Sequence, residues 1–436
     1  MLITDLKIEN YKSLRTVDIK PSDLTVFVGA NGSGKTNLAD SIDFISEIYR
    51  HGLEVAVARK GGYENIAHHK KRRSKKEVSI DLVGEYTWQL ASQLEVKLPS
   101  KLRTHHSFAF VAKGSSIRAA FNVVREHIDV EIYNNDTYSR LLTLDREAEN
   151  FSFEVAKQDI MDKIFDAIPQ NLRTRILGLE NLEILLKGRK FPKTELLASS
   201  IGRWVYLLSD FMEGMSNIRV FQISPTISRE FGVPIPNPEL ARSGANLPAV
   251  IDLLQKHNTD EWMHIMQVMR RVMPGLQEIE VGYTTSRTLG LFFHEINAGR
   301  AWNVGEVSDG TIQTLAILVA IFDPRSSAIV IEEPENSVHP WIIRNVLAAC
   351  KKAASRKQIL ITTHSPIVVN YVSPEQVWVI WRAQGESKVT RLVDLDHSFI
   401  EMWENGKVAT FDFLDSGAIP EAIPPAPYVE AETDKD

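Results

Sequence analysis

Leu24-Thr-Val-Phe-Val-Gly29-Ala-Asn-Gly32-Ser-Gly34-Lys35-Thr36-Asn37 is the stretch whose reading decides the fold. Leu24 to Val28 is an apolar run of buried-strand length; it breaks at Gly29, and a helical pattern begins near Lys35. Between them lies G-x-x-x-x-G-K-[ST], spelled Gly29, Ala30, Asn31, Gly32, Ser33, Gly34, Lys35 and Thr36. The three glycines let successive backbone N–H groups turn inward as an anion nest. The following helix points its positive end at the same phosphates. Lys35 is read as reaching the β/γ-phosphates and Thr36 as a Mg²⁺ ligand. A Gly-rich turn with an accidental Lys and Thr is the plain alternative. A strand before and a helix after favour a bound nucleoside triphosphate with Mg²⁺.

The 436 residues leave room for two or three folded units. At 44% hydrophobic and 24% charged, the composition is that of an ordinary globular protein. A net charge of −6 argues against a uniformly basic nucleic-acid binder but allows local basic patches. The single cysteine, Cys350, cannot form an internal disulfide, which fits a reducing cytosol. No apolar run reaches membrane-spanning length; the longest lies around Leu315 to Phe322. The start, Met1-Leu-Ile-Thr-Asp-Leu6, lacks the basic opening of a signal peptide. A cytoplasmic protein with no membrane partner is expected.

Residues 2–9 and 15–28 read as strands, and the helix after the loop runs from 36 to about 49. Residues 61–66 read as a turn. Then come Lys70, Lys71, Arg72, Arg73, Lys75 and Lys76, either a solvated loop or a contact with nucleic-acid phosphates. Segments 78–82, 108–111, 130–133 and 151–155 are rich in β-branched and aromatic residues and read as strands. From 160 to 215 the period is helical, but Gly178, Gly188 and Pro192 rule out a long coiled coil. A strand is expected over 218–223, a helix over 247–273, and strands over 279–284 and 289–296. Gln222, at a strand end, is a possible sensor of Mg²⁺ or γ-phosphate or simply a polar strand end. The organisation reads as 1–76, first half of a nucleotide-binding head; 77–215, an inserted β-then-α lobe; 216–415, the second half; and 416–436, an acidic Pro-rich tail expected to be disordered.

Three motifs close the second half. Ser308-Asp309-Gly310 opens an apolar helix, with Ser308 at the N-cap of an anion-receptive helix end. Ala328-Ile-Val-Ile-Glu332-Glu333-Pro-Glu335 is an apolar strand delivering carboxylates at its end, where ligands of parallel sheets gather. Glu332 is read as a Mg²⁺ ligand and Glu333 as the group polarising the attacking water. Gln358-Ile-Leu-Ile-Thr-Thr-His364 is a second buried strand, ending in a histidine that can hydrogen-bond a γ-phosphate.

This order of motifs is that of the ATP-binding-cassette (ABC) class. Within it the chain resembles stand-alone RecF/SMC-like and OLD-like predicted ATPases of AAA-type label. The residues that carry the resemblance are Ile8 to Leu14, Gly29 to Thr36, Ser243 to Leu247, Ser308 to Gly310, Glu332 to Asn336 with His339-Pro340, and Thr363 to Pro366. The resemblance implies an α/β P-loop head with a mixed, largely parallel core sheet and an antiparallel lobe. It also implies head-to-tail pairing, in which Ser308, Asp309 and Gly310 of one copy complete the site of another as a trans signature. Glu333 and His364 would be catalytic, in a slow ATPase serving DNA maintenance or anti-phage defence. Partners would be a second copy, an effector such as a nuclease encoded nearby, and DNA. No C-terminal TOPRIM nuclease domain of the OLD type is expected. A weakly hydrolysing or non-hydrolysing ATP-binding scaffold is the alternative; a transporter subunit or a small-molecule kinase fits the motif set less well.

Overall fold

The run Leu24–Val28 is a strand, β3, buried along its whole length. The computed structural model describes residues 1–68, 76–89, 101–113, 120–134, 137–155, 191–202, 206–396, 398–406 and 409–415. Five of the six basic residues (Lys70 to Lys75), most of the helical pattern of 160–215 and the tail 416–436 lie outside the described residues.

Before β3 come β1 (Leu2–Tyr11) and β2 (Leu14–Ile19). After it come β4 (Val78–Thr87), β5 (Lys101–Ala112), β6 (Phe121–Asn134), β7 (Thr137–Glu147) and β8 (Asn150–Val155). The second half supplies β9 (Ile218–Phe221), β10 (Leu276–Tyr283), β11 (Leu289–Glu295), β12 (Trp302–Asn303), β13 (Ala328–Glu332), β14 (Gln358–Thr363), β15 (Val377–Ala383) and β16 (Glu386–Arg391). Among the described residues, one 13-stranded sheet runs β8-β7-β6-β5-β4-β1-β2-β16-β15-β3-β14-β13-β9, and β10-β11-β12 form a separate small sheet.

The large sheet changes character along its width. Strands β15, β3, β14, β13 and β9 pair in parallel, whereas β1, β2 and β4 to β8 pair antiparallel. Of the parallel strands, β3, β14 and β13 are buried along their whole length, as expected where both faces are covered. Alternate residues therefore enter opposite cores. Phe27, Val330 and Leu360 join the core beneath the Lys35–His51 helix. Val26, Ile329, Ile331, Ile359 and Ile361 join the core under the Asp309–Phe322 and Pro340–Ala353 helices. The Asp309–Phe322 helix is apolar nearly all round, and every residue from Thr311 onward is buried, as such a sequence requires.

The sequence pattern differs from the structure in several places. The stretch 15–28 is two strands, and β7 is an additional strand. The expected 247–273 helix is two, Leu247–His257 and Thr259–Val272, separated at Asn258, whose ψ of 56° interrupts the helix. Residues 63–66 form a single helical turn. The change in composition at residue 77 does not interrupt the sheet, because β4 pairs directly with β1.

Candidate nucleotide site

Parallel pairing brings the ends of β3, β14 and β13 together in that order: Val28 registers with Thr363, and Thr362 with Glu332. The loop of Gly29–Thr36 leaves β3 at this edge. Gly34 is the N-cap of the Lys35–His51 helix at φ 116°, and Gly32 has φ 77°. Gly29 and Gly34 also exclude side chains by space. A Cβ on Gly29 would stand 2.0 Å from the Ile380 carbonyl, and one on Gly34 would stand 2.1 Å from Ser387 Oγ. A hydroxyl chain holds the loop in place: Ser387 donates to the Ser33 carbonyl at 2.6 Å, Ser13 and Ser387 share a 2.7 Å bond, and Asn37 donates to Ser13 at 2.7 Å.

The Lys35 side chain is buried, and its ammonium donates back to the carbonyls of Gly29 (2.7 Å) and Ala30 (3.2 Å). Burial lowers its pKa, and the charges of Glu333 and Glu335 partly restore it. Those carboxylates belong to the turn after β13. Glu333 takes a left-handed backbone, φ 46°, its N–H donates to the Thr362 carbonyl at 2.8 Å, and Asn336 donates to its carboxylate at 2.9 Å. His364, just past β14, lies 3.5 Å from Glu333 and 3.7 Å from Glu335. Thr363 donates to Glu335 Oε1 at 2.6 Å, whereas Glu335 Oε2 is buried with no hydrogen-bond partner.

Glu332, the last residue of β13, is buried, and that burial raises its pKa. Arg242 and the Thr36 hydroxyl oppose the shift, Arg242 through a 2.5 Å hydrogen bond. Arg242 also stands 3.5 Å from Asp43 and 3.7 Å from Asp40. Asp40 in turn accepts hydrogen bonds from Lys12, Lys60 and Tyr11. Burial pushes the Asp40 carboxyl up, and these partners outweigh it, holding it at about 2.

The residues fit a magnesium triphosphate. Gly29 and Gly34 have no room for side chains, Lys35 is directed into the loop, and Thr36 and Glu332 meet at its rim. The orphaned Glu335 oxygen lies among the same groups.

Ser308 is the N-cap of the Asp309–Phe322 helix, accepting from Thr311 N–H at 3.3 Å. Asp309 pairs with Arg229 at 2.6 Å, and Gly310 packs so closely on Ser337 that a Cβ would stand 2.8 Å from its carbonyl. Ser308 and Asp309 are exposed. Among the described residues, no hydrogen bond or ion pair joins Ser308, Asp309 or Gly310 to the Gly29–Thr36 loop. Gln222 follows β9, exposed, with its N–H on the Arg242 carbonyl at 2.8 Å. Of the basic run, Lys76 alone is described; it is exposed, and its carbonyl accepts from Tyr63 at 2.6 Å. Sequence reading missed Arg242 and Asp40. Arg242 stands just before the Ser243-Gly244 turn, and nothing local ties it to a glutamate 90 positions on.

The family described as "AAA domain, putative AbiEii toxin, Type IV TA system" matches residues 94–370, and that described as "AAA ATPase domain" matches residues 1–177. The DNA replication and repair protein RecF of Corynebacterium jeikeium (strain K411) is 32% identical over 71 residues, covering 16% of each protein. RecF of Nocardioides sp. (strain ATCC BAA-499 / JS614) is 36% identical over 52 residues, covering 12% of each. The chain thus spans a small part of the length of the curated relatives it matches. An SMC head, solved bound to the C-winged helix domain of ScpA, superposes with a TM-score of 0.52 at 13% identity. That superposition covers 89% of this chain and 98% of the SMC head, a likeness of fold. No helix of the described residues is long and apolar enough to cross a membrane.

Proposed function

The chain belongs to the AAA-domain family matched over residues 94–370, a RecF/SMC-like ABC-class ATPase, and from that premise we propose that it is an ATP-driven switch whose heads pair around nucleotide. One observation carries this reading. Lys35, Glu332, Glu333, Glu335 and His364 gather at the ends of three adjacent parallel strands, while Ser308 to Gly310 sit on an exposed helix start with contacts elsewhere.

In this reading the inward N–H groups of the loop and Lys35 hold the triphosphate. Thr36 and Glu332 hold Mg²⁺, which when bound neutralises phosphate charge. Glu333 polarises the attacking water, and His364 hydrogen-bonds the γ-phosphate. Gln222, joined through its backbone to Arg242, reports on the occupied site. A second copy supplies Ser308, Asp309 and Gly310 to the phosphate. Hydrolysis removes the group that bridges the two copies, so the pair is stable only before cleavage.

The RecF matches, to proteins described as acting in DNA replication and repair, support a role in DNA maintenance. A role in anti-phage defence, direct or through an effector such as a nuclease, is the other setting proposed for the same switch. The basic residues Lys70 to Lys76 are the proposed DNA contact.

ATP turnover by the native chain and by Glu333→Gln, with Mg²⁺ present, tests the chemistry. Slow turnover that falls about a hundredfold in the variant is expected. Equal turnover in both would remove Glu333 from the reaction.

A further inference from the structure

The outward face of strands β4 to β7, away from the nucleotide site, carries a second cluster of ligand-type side chains. His105 of β5 registers with Asp129 of β6, and His127 of β6 with Asp145 of β7. Strand alternation puts them on one face. His105, His127 and Asp129 each offer a ligand atom within 4.8 Å of the others, a spread that rotamer-scale movement closes onto bonds of about 2 Å.

Each imidazole is already anchored from behind by a carboxylate. His127 Nδ1 lies 2.7 Å from Asp145, and His105 Nε2 lies 3.0 Å from Asp81. This carboxylate–histidine arrangement fixes the ring and directs its other nitrogen as a metal ligand. The free side of His127, Nε2, faces Asp129 Oδ2 at 3.1 Å. Asp129 is oriented in turn by Thr143, whose hydroxyl donates to Oδ1 at 2.5 Å and leaves Oδ2 for the cluster. Arg140 stands 3.3 Å from Oδ2 and is more than half exposed, so it can yield that oxygen to an ion. Exposed cross-strand ion pairs alone would account for acidic and basic residues here. They do not require two imidazoles, each held by its own carboxylate, with ligand atoms within 4.8 Å of a third carboxylate.

We propose that His105, His127 and Asp129 form a binding site for one divalent transition-metal ion of the zinc class, with Asp81 and Asp145 orienting the histidines and water completing the coordination. Two imidazole nitrogens and one carboxylate suit Zn²⁺ and select against Mg²⁺ and Ca²⁺, which prefer all-oxygen sites. Bound there, the ion ties β5 to β6 on a face that the ATPase chemistry does not use.

The test is Co²⁺ binding to the full chain without nucleotide, in excess Mg²⁺ so that oxygen-rich sites are filled. One equivalent of Co²⁺ retained on equilibrium dialysis, with visible ligand-field absorption lost on adding Zn²⁺, is expected. His127→Gln and His105→Gln, tested separately so that one misfolded variant leaves the other, should each abolish the absorption. Asp145→Asn should weaken binding about 10- to 100-fold. Absence of retained Co²⁺, or folded histidine variants that bind as tightly as the native chain, would overturn the assignment.

Discussion

Arg242 donates a 2.5 Å hydrogen bond to Glu332, setting a guanidinium against a carboxylate that is only 4% exposed. The pair links the segment just before the Leu247–His257 helix to the end of β13, and Asp40 and Asp43 extend it to the Lys35–His51 helix. A buried carboxylate stripped of its partner costs more than the pair itself contributes. Arg242→Ala is therefore expected to lower the unfolding free energy by about 3 kcal/mol in urea titrations without nucleotide. Arg242→Lys, which keeps the charge but loses the planar fork, should recover part of it. A loss within error for Arg242→Ala would show that the bond is incidental.

Two glycines of the loop should differ sharply on substitution. Gly32 has φ 77° and open space around its missing Cβ, whereas Gly34 has φ 116° and would drive a Cβ into Ser387. Gly32→Ala pays backbone strain alone, about 1–2 kcal/mol. Gly34→Ala adds steric overlap of about 1–3 kcal/mol and disturbs the hydroxyl chain through Ser13. Thermal unfolding should rank Gly34→Ala clearly below Gly32→Ala, and a fluorescent ATP analogue should bind the former more weakly. Equal melting points would contradict the brace.

The sequence makes legible those parts of the fold encoded by short-range pattern. Leu24–Val28, Ala328–Glu332 and Gln358–Thr363 are apolar runs ending in chemistry, and all three are adjacent parallel strands. Strand β7 was hidden because its first half, Thr-Tyr-Ser-Arg, is polar and exposed or half-buried. The break at Asn258 carries no glycine or proline, but the polar run Gln255 to Glu261, with Asn258 three residues before Glu261, is a helix-start signal that the reading of one helix over 247–273 passes over. Pairing of β4 with β1 and of Arg242 with Glu332 depends on residues tens of positions apart, which no local window encodes.

Asp40 gives the stability a defined acid dependence. Its carboxyl is held at about 2, below the ordinary value of 3.8, because hydrogen bonds from Lys12, Lys60 and Tyr11 outweigh its burial. A depressed folded-state pKa contributes stability that is complete above the unfolded value and lost as pH falls through the folded one. The contribution, about 2 kcal/mol, should be present at pH 6 and disappear between about pH 4 and pH 2. Unfolding free energies of the native chain and Asp40→Asn should accordingly differ at pH 6 and converge toward pH 2. A constant difference across that range would contradict the assignment.

In the proposed switch, nucleotide joins two copies, with Ser308 to Gly310 of one completing the Lys35 site of the other. Sedimentation velocity of the Glu333→Gln chain with Mg²⁺, with and without ATP, tests it most directly, because slowed hydrolysis preserves the bridging triphosphate. A shift toward a two-chain species on adding ATP is expected, reversed by ADP exchange and abolished by Ser308→Arg. A chain that binds ATP and sediments as the same species in all three conditions would contradict it.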